Sequence, residues 1–363
     1  MRRPCCLDAL LALAAWLPGS ADASSPDAPK VIERIVLPPS AAGEAVGGIS
    51  GIDYDRRRRA WLLISDDKSQ HGPARLYRLR LTRMRPSLAP VLLRDERGGV
   101  YPAPGSGKEA IDGEAIRLTP DGQRFAWSSE GDAEDGFGPA VRISDAGGRV
   151  RDSIPLPAAI KTDGRPNRTV EGLAFTPDHA LWVAMEAPLR RDGPAADIDH
   201  AALVRFTRIA PGAPPRQIGY RVDPIVRQRP NRLADNGVSE ILAVDDDRLL
   251  VLERSGEQQD DGRFAFHCRL YLAYLRGADP VSLTAPLDPS RVRVATKRLL
   301  VDFDRLMPTG SGNLEGMAWW PGAHGRHRRL VLVNDNNFAP DEATILTVIE
   351  LPPLSPLSRD GLG

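Results

Sequence analysis

Cysteine is nearly absent from the 363-residue chain: of three, Cys5 and Cys6 lie in the leading segment and only Cys268 stands beyond it. A single thiol cannot close an internal disulfide, and no Cys/His spacing matches a zinc site. Net charge is missing too, because 48 Lys and Arg offset 48 Asp and Glu. That balance lacks the basic excess of a nucleic-acid binder, so no nucleic-acid partner is expected. Lysine itself is scarce, at Lys30, Lys68, Lys108, Lys161 and Lys297 only. Beyond the leading segment no apolar run reaches the ~18 residues of a membrane helix, and no membrane span is expected. Catalytic signatures are absent as well. There is no Gly-x-Ser-x-Gly elbow for a serine hydrolase and no His-Glu-x-x-His zinc helix, and Gly105-Ser106-Gly107-Lys108 lacks phosphate-loop spacing.

The leading segment has the form of an export signal. Arg2 and Arg3 supply positive charge, residues 7–17 an apolar stretch, and Ala21-Asp22-Ala23 a small-residue cleavage box. Residues 1–23 therefore read as a signal peptide, and 24–363 as a mature protein expected to be periplasmic or secreted and monomeric.

Glycine and proline, at 33 each, predict many turns and few long helices. Five segments share one plan. Each opens on a short motif, runs through an apolar strand, a polar turn and a second apolar strand, and closes on an acid. They start at Gly47, Ile111, Val170, Val238 and Asn313 and close at Asp66, Glu130, Glu186, Glu253 and Asp335. Trp61, Trp127 and Trp182 recur in the second strand, where a flat ring packs well between sheets. The repeats lie about 57 to 75 residues apart, too far for a two-stranded unit and right for a four-stranded blade. The fold expected is all-β, a single β-propeller of five or six blades, with residues 31–37 and 344–351 pairing within one blade to close the ring. Two packed sandwiches would leave the common plan unexplained.

An antiparallel hairpin returns the end of its second strand to the level where its first began. Ser50/Asp66, Glu114/Glu130, Glu171/Glu186, Glu240/Glu253 and Glu315/Asp335 are each equidistant from their turn, which predicts five cross-strand pairs around one mouth of a central channel. Nine of these ten positions are carboxylates, and like charges opposed on a sheet are destabilising unless a cation, arginines or shared protons compensate. Asp66, Glu114, Glu171, Glu240 and Glu315 are the candidate metal ligands, and Glu130, Glu186, Glu253 and Asp335 the candidate catalytic carboxylates. Arg168, Arg254, Asn236 and Asn313 are candidates for holding a small anionic or ester substrate. The alternative is a non-catalytic binding or scaffold propeller, whose acids accept backbone N–H groups and lace blades together.

Several segments resemble, in order, the phytase-like family ("esterase-like activity of phytase"). They include Ser50-Gly51-Ile52-Asp53-Tyr54, Asp112-Gly113-Glu114, Glu171-Gly172-Leu173-Ala174, Glu186-Ala187-Pro188-Leu189, Leu252-Glu253-Arg254, Asn313-Leu314-Glu315-Gly316 and Asn334-Asp335-Asn336-Asn337-Phe338. The resemblance covers residues 49–351. It implies an exported β-propeller with phosphoesterase or esterase chemistry and dependence on Ca²⁺. A lactonase-like propeller sharing fold and metal is a further alternative.

Overall fold

Short apolar runs broken by glycine, proline and aspartate turns become five four-stranded antiparallel sheets, with a two-stranded hairpin beside them. The computed structural model describes residues 28–322 and 328–354. The export signal read at residues 1–23 lies outside them. The innermost strands are Ile49–Asp55, Gly113–Leu118, Val170–Phe175, Ala234–Ala243 and Asn313–Trp319. Each touches the next, and the fifth returns to the first. The sheets are thus the blades of a five-bladed propeller, numbered here in chain order. Lys30–Val36 is the outermost strand of blade five, antiparallel to Ile345–Glu350. Pairing the two ends of the chain in one sheet leaves no open edge between first and last blades.

The core lies between blades. Trp127 is fully buried and donates from Nε1 to Ser144 Oγ at 2.9 Å. Trp61 packs against Tyr54, with ring centroids 4.8 Å apart, and against Trp320 of blade five at 5.5 Å. These rings fill the wedge between sheets splayed by their own twist.

Every innermost strand carries a β-bulge, near its start in four blades and midway along Ala234–Ala243 in blade four. The extra residue is Ser50, Glu171, Ser239 or Glu315 in blades one, three, four and five. In blade two the irregularity takes in Glu114 and Ala115. A bulge bends its strand and re-aims the local side chains. Past the bulge, glycine lets neighbouring blades touch. A Cβ on Gly51 would stand 2.5 Å from the Glu114 carbonyl oxygen, and one on Gly172 2.7 Å from the Ile241 nitrogen. Backbone cannot yield as a flexible side chain does. Gly51→Ala is therefore expected to cost about 1–3 kcal/mol in a urea melt, and an unchanged midpoint would show that the blades can separate freely there.

One ion pair crosses the channel midway. Arg117 of blade two lies 2.6 Å from Glu240 of blade four. Its guanidinium also donates to Ile52 O of blade one at 2.8 Å and to Ile241 O at 2.9 Å. The Glu240 carboxyl accepts N–H bonds from Leu173 of blade three at 3.2 Å and from Ile241 at 2.8 Å. Four blades meet at this buried plug, which divides the channel into two mouths.

Candidate functional site

Above the plug, the bulged starts of the innermost strands and the ends of their partners surround a cavity of about 440 Å³. Among the described residues, ten carboxylates line it, against three cations, Lys68, Arg254 and Arg263. Asp66, Glu114, Glu130, Glu171, Glu186, Glu315 and Asp335, expected from the hairpin symmetry, converge here, together with Arg254 and Asn313 from the candidate substrate-holding set.

Blade four departs from that symmetry. Its bulge residue is Ser239, so Val238 faces Glu253 and Glu240 faces Leu252. A one-residue slip in register sends a side chain to the opposite face. Glu240 is therefore not a funnel acid: it drops into the plug with Arg117. Glu253 leaves the funnel as well, accepting from Tyr220 Oη at 2.7 Å and from Asp223 N at 3.0 Å, with Lys297 Nζ 2.5 Å away. The residues of blade four at the acid positions are Ser239 and Arg254. Asn236 also points elsewhere, donating to Asp223 O at 2.8 Å. Arg168 does not line the cavity; it pairs at 2.5 Å with Asp235, which does.

Arg254 thus replaces an acid in a ring of acids. It donates to Glu315 Oε1 at 2.6 Å, Asn313 Oδ1 at 3.1 Å and Glu186 Oε1 at 3.2 Å. Lys68, at the other side, lies 2.6 Å from Asp112 and donates to Asn167 Oδ1 at 2.8 Å. Burial works against its charge, yet Asp112 holds the Lys68 ammonium above its ordinary pKa. Three cations do not balance ten acids. Burial, with the charges of Glu186 and Asp112, pushes the Glu130 carboxyl up to about 8. Asp335 is pushed to about 7 by burial and Glu315. Burial and neighbouring carboxylates also hold Asp66, Glu114 and Glu171 well above the carboxylate range.

Asp112, Glu114 and Glu130 each offer an oxygen within 4.8 Å of the others. Oxygens bound to one Ca²⁺ at about 2.3–2.6 Å each stand no more than about 5 Å apart, so the three are close enough to share such an ion. An all-oxygen set without imidazole or thiolate fits a hard cation. These three acids could hold a metal ion whose charge offsets their repulsion.

Blade four supplies a further feature. Its strands Arg248–Gln258 and Phe264–Tyr274 run 11 residues each, past the level of Arg254. The extension carries Arg263, Phe264 and Phe266 over one side of the cavity. Arg254 lies 5.9 Å from the Phe266 ring centroid. Hairpin symmetry gave no hint of this wall, nor of Asp235. The signal available was the alternation in Phe264-Ala265-Phe266, which puts both rings on one strand face.

The profile of the family described as "Phytase-like: Esterase-like activity of phytase" matches residues 44–338. The chain belongs to this phytase-like family. No curated protein matches it. Among solved structures, this phytase-like chain is similar to a fructofuranosidase from Schwanniomyces occidentalis complexed with fructose, at 10% identity and TM-score 0.47, over 89% of this chain and 63% of that one. It is similar to a Penicillium chrysogenum alpha-L-arabinanase complexed with arabinobiose, at 8% identity and TM-score 0.41, over 88% and 98%. A putative oxidoreductase (glucose dehydrogenase) from Thermus thermophilus shows 16% identity and TM-score 0.41, over 85% of each chain. The five blades of the phytase-like chain follow from its own strand pairing.

Proposed function

We propose that the acidic funnel is the active centre of an exported, divalent-cation-dependent hydrolase of phosphate or carboxylic esters, with Ca²⁺ as the cation. The observation that carries this reading is the convergence of Asp112, Glu114 and Glu130 oxygens within 4.8 Å in a wall otherwise short of positive charge. Family membership supports ester chemistry. A hard cation in that triad would supply charge neutralisation and polarise a phosphoryl or acyl oxygen.

The remaining roles fall to residues of the chain. Arg254 lines the cavity and is the residue suited to an anionic group, with Asn313 beside it. Asp335, raised to about 7, has a pKa at which a carboxylate accepts a proton from water and returns it to a leaving group. Glu186 orients Arg254 through the 3.2 Å bond. Phe264 and Phe266 offer an apolar face to the non-reacting part of the substrate.

Calcium titration by calorimetry, coupled to a panel of phosphomonoester, phytate, aryl ester and lactone substrates, tests the reading. Glu114→Gln is expected to weaken Ca²⁺ binding by more than about tenfold and to remove turnover while the fold persists. The absence of both Ca²⁺ binding and thermal stabilisation by Ca²⁺ would sink the proposal. One observation favours a second reading: Arg254 already ties Glu186 of blade three to Glu315 of blade five, as blade-lacing acids would require. Tight Ca²⁺ binding with no turnover on any substrate would select that scaffold role.

A further inference from the structure

Below the plug, the channel opens on the opposite face of the propeller into a second cavity of about 450 Å³. All five innermost strands reach it with their C-terminal ends, through Arg56, Pro120, Phe175, Val244 and the pair Trp319 and Trp320 among others. Its chemistry is the reverse of the funnel's. Among the described residues not one carboxylate lines it, and its charged or titratable members are Arg56, His179 and Arg328. The nearby turn acids are engaged elsewhere: Asp178 pairs with Arg208, and Asp245 lies 2.7 Å from Arg248.

The walls are aromatic and preset. Trp319 donates from Nε1 to Ala243 O at 2.8 Å, which fixes its ring between blades four and five. The Arg328 guanidinium lies 5.1 Å from the Trp319 ring centroid. Trp320 packs on Trp61 at 5.5 Å. Pro120, Phe175 and His179 also line an adjoining groove of about 620 Å³, which runs between blades two and three along Ile154, Ile209 and Pro211, with Asp121, Arg124 and Asp152 among its other wall residues. An apolar body therefore has room beyond the central mouth.

We infer that this lower mouth is a second binding site, taking an organic anion with an aromatic body, such as an aryl carboxylate. The ring would lie against Trp319, Trp320 and Phe175, and the anionic group would meet Arg56 and Arg328. Aromatic faces favour offset or edge-on ring contacts, and a guanidinium forms paired charge-assisted bonds with a carboxylate. The plug separates this mouth from the funnel, so the site is independent of any ester chemistry there.

The test is calorimetric titration of the full chain, in low salt with EDTA, with naphthalene-2-carboxylate and its neutral isostere naphthalene-2-methanol. The acid is expected to bind saturably and about tenfold or more tightly than the alcohol. Exchanging both guanidiniums (Arg56→Gln with Arg328→Gln) is expected to erase that preference, and Trp320→Ala to weaken both ligands. Glu114→Gln in the funnel is expected to change neither. Arg56 and Arg328 lie outside the strands, so their double variant keeps the test decisive if Trp320→Ala does not fold. No binding by the acid, equal affinity for acid and alcohol, or a preference that survives the double variant would overturn the inference.

Discussion

Glu240→Gln is expected to destabilise the protein by about 3–5 kcal/mol, whereas Glu171→Gln is expected to leave it as stable or slightly more so. Both residues lie on innermost strands and both occur beside a short apolar run. Their surroundings differ. Glu240 lies 2.6 Å from the buried Arg117, whose guanidinium cannot shed its proton. Burial pushes the Glu240 carboxyl up to about 8, while Arg117 and two backbone N–H groups pull it back down. Glutamine keeps an oxygen for the N–H groups of Leu173 and Ile241 but leaves Arg117 as an uncompensated charge joining four blades. Glu171 has Glu130 and Glu186 as its main charged neighbours, so an amide there removes repulsion. Chemical denaturation of the two single variants at pH 8 without metal reads the difference. Adding Arg117→Met to Glu240→Gln is expected to recover much of the loss, because a neutral pair buries no charge. Equal effects of the two single substitutions would mean that Glu240 is a funnel acid after all.

The slip in blade four shows what could be read in the sequence and what could not. Repeat spacing and alternating hydrophobicity specify blades, and the turn residues specify hairpins, so the ring and its acidic mouth were legible. Equidistance from a turn assumes an unbroken ladder. The bulges break it once per blade, and in blade four the assumption selects Glu240 and Glu253 in place of Ser239 and Arg254. A different alignment was available: Ser50-Gly51, Glu171-Gly172 and Glu315-Gly316 each put a polar bulge residue before the glycine on which the next blade packs. Ser239-Glu240 fits that frame with Ser239 matching Ser50, and Glu240 occupies the glycine position. The second strands then end on Asp66, Glu130, Glu186, Arg254 and Asp335. The Phe264–Phe266 wall was less accessible, because it depends on how far one hairpin extends past the others, a length that no repeat specifies.

In the absence of metal, stability is expected to fall as pH rises from about 4.5 to 8, the reverse of ordinary acid denaturation. Folding raises the carboxyls of Glu130 to about 8 and Asp335 to about 7, with Asp66, Glu114 and Glu171 displaced in the same direction. Across this window the native state holds protons that the unfolded chain has lost, and the unfolded chain gains relative stability with each step in pH. Stability from these groups is complete below the unfolded carboxylate pKa and gone above the folded one. One pKa unit corresponds to about 1.4 kcal/mol, so the summed loss is on the order of several kcal/mol. A divalent cation acts on the same groups in the deprotonated form, so protons and metal compete. Ca²⁺ at a hundred times its dissociation constant is expected to return about 2.7 kcal/mol at pH 8 and almost nothing at pH 5. Thermal melts from pH 5 to 8, with EDTA or with Ca²⁺, separate the terms. A flat or rising metal-free curve would show that the funnel carboxylates ionise as freely as in the unfolded chain. A Ca²⁺ increment of the same size at every pH would place the ion away from Asp112, Glu114 and Glu130.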